Sequence, residues 1–388
     1  MSKTENIADY LKKEEAKLSE FATRSSESKG RKKEIEEDPF RLEFARDDTR
    51  ILHSMPFRRL KHKTQVFLSP DNDHICTRME HVLHVSSIAS IIGRCLKLNT
   101  DLIHAIAKAH DLGHPPFGHV GERKLNEILL KQNIDYGFKH EIHGLRVVDK
   151  LTNYGEGLNL TYEVRDGIIS HCGEMFEQRV APDREKDLTI IENINDRSGY
   201  PATLEGALVR VVDRIAYLGR DLEDGIKAGL VKKGDIPKDV AKWLGTDNGK
   251  IIGSFVNDVI AESWETDSIN LSDGVFDLMN QLKKFNYKYI YLHPDVEKKG
   301  YKGKHVLGEL YLRIEEVLEK SSRGRDQGYI DTVLSDIPSM QVFMDFIKNS
   351  NYSDETPSWR ILVDYIAGMT DSFAQRSYLQ FFLPTPIV

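Results

Sequence analysis

The stretch AKAHDLGHPPFGHVGE, from Ala107 to Glu122, packs His110, His114, His119, Asp111, Glu122 and a Gly-Pro-Pro break into 16 residues. Its apolar opening reads as the end of a helix from Leu102 to Leu112, closed by Gly113 and the Pro115-Pro116 pair, which cannot continue it. More histidines flank it: His74, His81, His84 and His104 before, His140 and His143 after. Nine of the 14 histidines thus fall between positions 74 and 143, where even spacing would put two or three. Imidazole is a costly core filler, a good metal ligand and an acid or base at neutral pH. The clustering points to a metal or phosphate chemistry site.

Outward from this stretch nearly everything reads helical. Thr77 to Leu98 places Met79, Val82, Val85, Ile88, Ala89 and Ile92 mostly at spacings of three and four, an amphipathic stripe. Further helices are predicted over Glu122–Lys131, Glu141–Leu151, Thr161–His171, Leu204–Ala228, Val275–Lys284, Lys304–Lys320 and Trp359–Phe382. Strand-like alternation is scarce, with YKYIYLHP (287–294) the best candidate. The fold class is all-α, with at most a small hairpin. A short N-terminal helix within residues 1–22 leads into RSSESKGRKKEIEEDP, which reads as a loose surface segment. Three parts follow: an N-terminal helix and polar linker (1–39), a helical core (40–230) and a C-terminal helical region (231–388).

Composition narrows the class. Hydrophobic content of 40% and charged content of 30% fit an ordinary water-exposed chain with a substantial core. A formal charge of −7 argues against general nucleic-acid affinity. Cys76, Cys95 and Cys172 form no CxxC pair and leave an odd thiol, as expected of a reduced, cytoplasmic compartment. Met1–Glu20 lacks the apolar core of a secretory signal, and no apolar run approaches the roughly 18–20 residues of a membrane helix. The phosphate loop GxxxxGK[ST] is absent, which argues against the commonest nucleotide-triphosphate solution.

A metal needs ligands from several helices. His110 and Asp111 are adjacent, about 100° apart around a helix axis. His81 lies on the preceding amphipathic helix. Asp213 sits among Leu208, Val209, Val211, Val212 and Ile215, where an unpaired carboxylate is expensive. Two imidazoles and two carboxylates suit a six-coordinate divalent ion such as manganese, iron or magnesium. His119 and Glu122, at i and i+3, can pair if their turn is helical. Arg78 precedes His81 by one turn and suits a phosphate.

The order His81, His110-Asp111, Asp213 resembles the HD-domain metal phosphohydrolases. PFRRLKHKTQVF (56–67), TRMEHVLHV (77–85), AHDLGHPPFGHVGE (109–122), GFKHEIHGLRVV (137–148), GLNLTYEVRDGI (157–168), DRIAYLGRDLEDGI (213–226) and DYIAGMTD (364–371) narrow the resemblance. They are similar to the bacterial deoxyguanosine-triphosphate triphosphohydrolase-like family, in its shorter subgroup, over nearly the whole chain. The resemblance implies an HD-type helical core covered by a C-terminal helical extension. It implies splitting of a deoxynucleoside triphosphate (dNTP) into deoxynucleoside and inorganic triphosphate by water attack at the α-phosphorus. It assigns the metal to His81, His110, Asp111 and Asp213, and acid or base chemistry to His119 with Glu122. Phosphate falls to Arg78, His114, His140 and, more weakly, Arg214; the sugar falls to Gln65, Tyr217 and Asp221. A tetramer or hexamer and a second dNTP as activator are further implications, whereas single-stranded nucleic acid has no support in the sequence. The competing readings are an HD phosphodiesterase or 5′-nucleotidase and a non-catalytic nucleotide-sensing or single-strand-binding protein.

Overall fold

The computed structural model describes residues 3–65, 76–172, 177–195, 199–322 and 336–383. The N-terminal half holds α1 (Lys3–Glu15), α2 (Glu43–Leu52), α3 (Met55–Arg59), α4 (Arg78–Cys95), α5 (Thr100–Ala109), α6 (Gly118–Lys131), α7 (His140–Arg146) and α8 (Tyr162–Ser170). The long α9 (Leu204–Lys227) leads to α10 (Lys238–Trp243), α11 (Asn248–Ser263), α12 (Asp273–Asn286) and α13 (Pro294–Ser322). Then come α14 (Pro338–Lys348), α15 (Ser358–Ala367) and α16 (Asp371–Phe382). β1 (Arg179–Val180) and β2 (Ile269–Asn270) pair antiparallel, and they are the only paired strands among the described residues. The chain is all-α, as its periodicity indicated. No described helix is long and apolar enough to cross a membrane.

Local chemistry sets the helix starts. Thr77 and Glu80 form a reciprocal capping box at α4, Asn99 accepts from the first turn of α5, and Thr203 caps α9 through the Gly206 amide. α4 packs on α5 and α9, and α5 on α2, burying Val82, Val85, Ile92, Ile103, Ile106, Leu208 and Val212 completely or nearly so. This first core runs on through Val231, Phe255, Leu282 and Ile290. A second core joins Phe117, Leu125 and Leu129 to Leu307, Ile314, Phe343, Leu362 and Ile366. α6 is thus the helix on which the C-terminal core is built.

Three expectations change. The segment 287–294 is not a strand: Tyr287–Tyr291 continues α12 as a π-turn, with Leu292 N–H donating to the Tyr287 carbonyl at 3.1 Å. The extra residue in this turn points Ile290 into the core and Tyr291 toward α9. The helix expected over Trp359–Phe382 breaks at Gly368, because Thr370 caps α16 through the Phe373 amide. The polar linker is not loose. Arg31 bridges to Thr161, is bonded by Glu43 at 2.7 Å and pairs with the fully buried Asp47. Glu163 accepts from Ser28 Oγ and the Lys29 amide at 2.8 and 2.6 Å. Composition made this segment look solvated; Glu43 and Asp47 nearby, with Thr161 and Glu163 more than a hundred residues away, hold it.

Arg31→Met leaves Asp47 as a buried carboxylate with only Thr161 donating to it. The expected cost is about 3–5 kcal/mol in urea unfolding, and a loss under about 1 kcal/mol would return the segment to a loose surface strap.

Candidate metal and phosphate site

α4, the end of α5, the turn after it and α9 converge on one buried cluster. His81 Nε2 lies 2.9 Å from Asp213 Oδ1 and 3.9 Å from Asp111 Oδ2. His110 Nε2 lies 3.6 Å from Asp111 Oδ1 and 3.7 Å from Asp213 Oδ1. His110 and Asp111 are buried. The Nδ1 of His110 donates to the Ala107 carbonyl at 2.7 Å, so the neutral ring carries its lone pair on Nε2; without a cation, Asp111 and Asp213 overcome burial and hold this imidazole above its ordinary range. That buried Nε2 has no hydrogen-bond partner among the described residues. Burial works against ionisation of both acids. The neighbours His114, Arg78 and His110 nonetheless hold Asp111 well below the usual carboxylate range, and His110 and His81 do the same for Asp213. Two charged carboxylates and an orphaned imidazole lone pair fit a divalent cation, as the sequence order implied.

The turn from Gly113 to Gly118 sets the other side. A Cβ on Gly113 would run into the backbone of His140 and Gly144, so only glycine lets this turn lie on α7. Phe117 (φ 63°) and Gly118 (φ 57°) are both left-handed, and Asp371 from α16 accepts the Phe117 amide at 3.0 Å. The same carboxylate accepts from Thr64 Oγ1 at 2.7 Å. Fully buried Lys63 donates to the His114 and Ala367 carbonyls, and burial lowers it to about 7. Neither Asp371 nor Lys63 carries a local signal, since their partners are remote in sequence.

This turn brings His114 onto His140, stacked at 3.7 Å, with His114 Nε2 3.1 Å from Asp111 Oδ1. Arg78 is 1% exposed, donates Nη1 to Asp111 Oδ2 at 2.7 Å, and keeps Nε and Nη2 without a partner among the described residues. His119 Nδ1 meets Glu122 Oε2 at 3.1 Å in the first turn of α6. Glu122 Oε1 accepts from His140 Nδ1 at 3.0 Å, so one carboxylate steadies two imidazoles. Burial opposes its charge, and His140 and His119 overcome that and hold it well below the ordinary range.

Gln65 lies beside Gly118 and Arg78 through the Thr64–Thr77 bridge. Asp213 and Tyr217 retain partial exposure on an otherwise buried face of α9, and Asp221 ends that stripe, bonded by Tyr291 Oη at 2.5 Å. Arg214 and Arg210 are both paired with Glu177. Of the histidines left without a role, His104 bonds Ser86 at 2.7 Å and His143 is buried 3.7 Å from Asp364. His74 lies outside the described residues, as do Val66 and Phe67 of the first motif. His171, just past α8, was missed. Its ring lies 4.9 Å from His110 and 5.2 Å from His140, and burial with those two neighbours lowers it to about 3. It falls outside the dense histidine window and in no dipeptide that draws notice.

Fold and ligand order together define an HD-domain phosphohydrolase: residues 78–218 match the HD domain, and 269–326 with 330–380 match the phosphohydrolase-associated domain. The chain is 38% identical to a deoxyguanosinetriphosphate triphosphohydrolase-like protein of Caldanaerobacter subterraneus, covering 95% of this chain and 93% of that one. It is 39% identical to one from Desulfatibacillum aliphaticivorans (96% of each chain) and 36% to one from Clostridium perfringens (98% and 97%). The chain belongs to the deoxyguanosinetriphosphate triphosphohydrolase-like family of metal-dependent HD phosphohydrolases.

Burial raises Asp221 to about 7 even though the Tyr291 hydroxyl favours its charged form. The folded chain then keeps a proton that an unfolded carboxyl releases near pH 4. Stability therefore falls as pH rises from about 4 to about 7 and is level above. Asp221→Asn removes this slope. Urea unfolding of the variant is expected to gain about 1–3 kcal/mol on wild type between about pH 5 and pH 8; parallel profiles would place the Asp221 titration elsewhere.

Proposed function

We propose that the chain hydrolyses deoxynucleoside triphosphates, dGTP among them, to deoxynucleoside and inorganic triphosphate by water attack at the α-phosphorus. The observation that carries this reading is the convergence of His81, His110, Asp111 and Asp213 beside the His119–Glu122 pair. The relatives' names add the substrate class. A divalent ion, manganese, magnesium or iron, neutralises phosphate charge and lowers the pKa of water at such a site.

The residues divide the remaining work. Arg78 is the fixed positive charge for a phosphate oxygen, because Asp111 already orients its fork and two of its nitrogens are uncommitted. His114 and His140 line the same phosphate path. His119 moves the proton: Glu122 holds its Nδ1–H, leaving Nε2 of a 63% exposed side chain to face the substrate. Tyr217, under a sugar without a 2′-hydroxyl, rejects ribonucleotides by contact, and Gln65 and Asp221 bind the sugar's edge. A tetrameric or hexameric assembly, a second dNTP as activator and a cytoplasmic location belong to the same reading.

Metal-loaded protein incubated with each dNTP, singly and in pairs, is expected to release intact triphosphate. Pyrophosphate or orthophosphate as the first product would assign the site to another HD chemistry. Asp111→Ala is expected to abolish both turnover and metal retention with helix content unchanged. His119→Ala is expected to keep the metal and lose about 10²–10⁴-fold in kcat; turnover within about threefold of wild type would remove His119 from the chemistry.

A further inference from the structure

Two imidazoles and a thiol meet behind the Gly113 turn. His140 opens α7, His171 follows the last turn of α8, and Cys172 is next in the chain. His140 donates through Nδ1 to the Glu122 carboxylate at 3.0 Å, and His171 donates through Nδ1 to the Ile168 carbonyl at 2.7 Å. An imidazole that donates through Nδ1 presents Nε2 as a lone pair. In their neutral forms the two rings present facing lone pairs, with the Nε2 atoms 3.2 Å apart. Cys172 Sγ lies 3.2 Å from His171 Nε2 and 3.4 Å from His140 Nε2. Both histidines are about as buried as core residues, at 3% and 2% exposure. Without a cation a proton lies between them, since Glu122, Cys172 and Glu141 overcome burial and hold His140 well above the ordinary imidazole range; a bound metal ion would take that proton's place.

We propose that His140 Nε2, His171 Nε2 and Cys172 Sγ hold a second divalent cation, of the borderline-soft zinc class, beside the first. Anchoring each ring through Nδ1 is the usual way a protein aims Nε2 at a metal, and His110 is anchored the same way. The donor sets differ in kind. The first site offers nitrogen and carboxylate oxygen; the second adds sulfur, which favours zinc, iron or cobalt over magnesium. Binding converts the thiol to thiolate and releases its proton to solvent. Three protein ligands leave a position open, as in metal sites that meet a substrate. The two sites are neighbours, because donor atoms of His171, His110 and Asp213 also lie within 4.8 Å of one another. The proposal concerns metal binding and stands apart from the choice of nucleotide.

Full-length protein stripped by a chelator and titrated with cobalt(II) tests it. The expected result is two equivalents per chain, one of them giving a thiolate-to-cobalt charge-transfer band in the near ultraviolet. The first site holds no sulfur, so the band reports the second alone. Cys172→Ala is expected to lose the band and one equivalent, whereas Asp213→Asn keeps the band. One equivalent in wild type without a band means that the two lone pairs share a proton, and overturns the proposal. A band that survives Cys172→Ala places the cobalt on Cys76 or Cys95 and overturns it too. Circular dichroism establishes folding, and His171→Gln reads the same loss should Cys172→Ala fail to fold.

Discussion

The missing side chain of Gly113 is the constraint on which the site is built. The turn after α5 lies directly on the backbone of α7, with Gly144 on the facing helix. That approach lets His114 stack on His140, and His140 then reaches back to Glu122 at the start of α6. Three segments of chain are thereby fixed to one another within a few side chains' width. The Lys63 ammonium and the Asp371 carboxylate hold the outer side of the turn against the C-terminal core. A larger residue at 113 would separate Asp111 from the imidazoles that surround it.

The same region concentrates buried charge. Arg78, Asp111 and Glu122 are each under 9% exposed, and the titrating neighbours of each are other members of the cluster. Such groups cost solvation when buried and repay it only in good geometry. Here helix ends and the turn between them supply the geometry: His110 and Asp111 directly follow α5, and His119 and Glu122 begin α6. The fold's apolar stability comes from the two cores on either side, so the polar cluster is carried by structure it does not itself stabilise.

What could be read in advance follows from distance along the chain. The HD dipeptide, the His119–Glu122 pair and the helix caps are local signals, and the structure has them where spacing put them. The segment YKYIY alternates like a strand in its residue types, yet it continues α12 with i+5 bonding as a π-turn. The pairing of Arg214 with Glu177, 37 residues earlier in the chain, has no local signal. Lys63 and Asp371 bind partners 51 to 307 residues away, and no periodicity encodes those. His171 lies outside the histidine-rich window yet sits closer to His110 than His81 does, ring to ring.

Asp371 stands near the end of the chain and bonds Thr64 and the strained Phe117–Gly118 turn. A ribosome making this protein therefore makes His110 and Asp111 long before the residue that steadies the turn after them, 254 residues beyond Phe117, has emerged. The nascent chain carries this His-Asp cluster without its settled turn until α16 docks. Assembly of the cluster thus waits on the synthesis of α16, a timing written into one carboxylate.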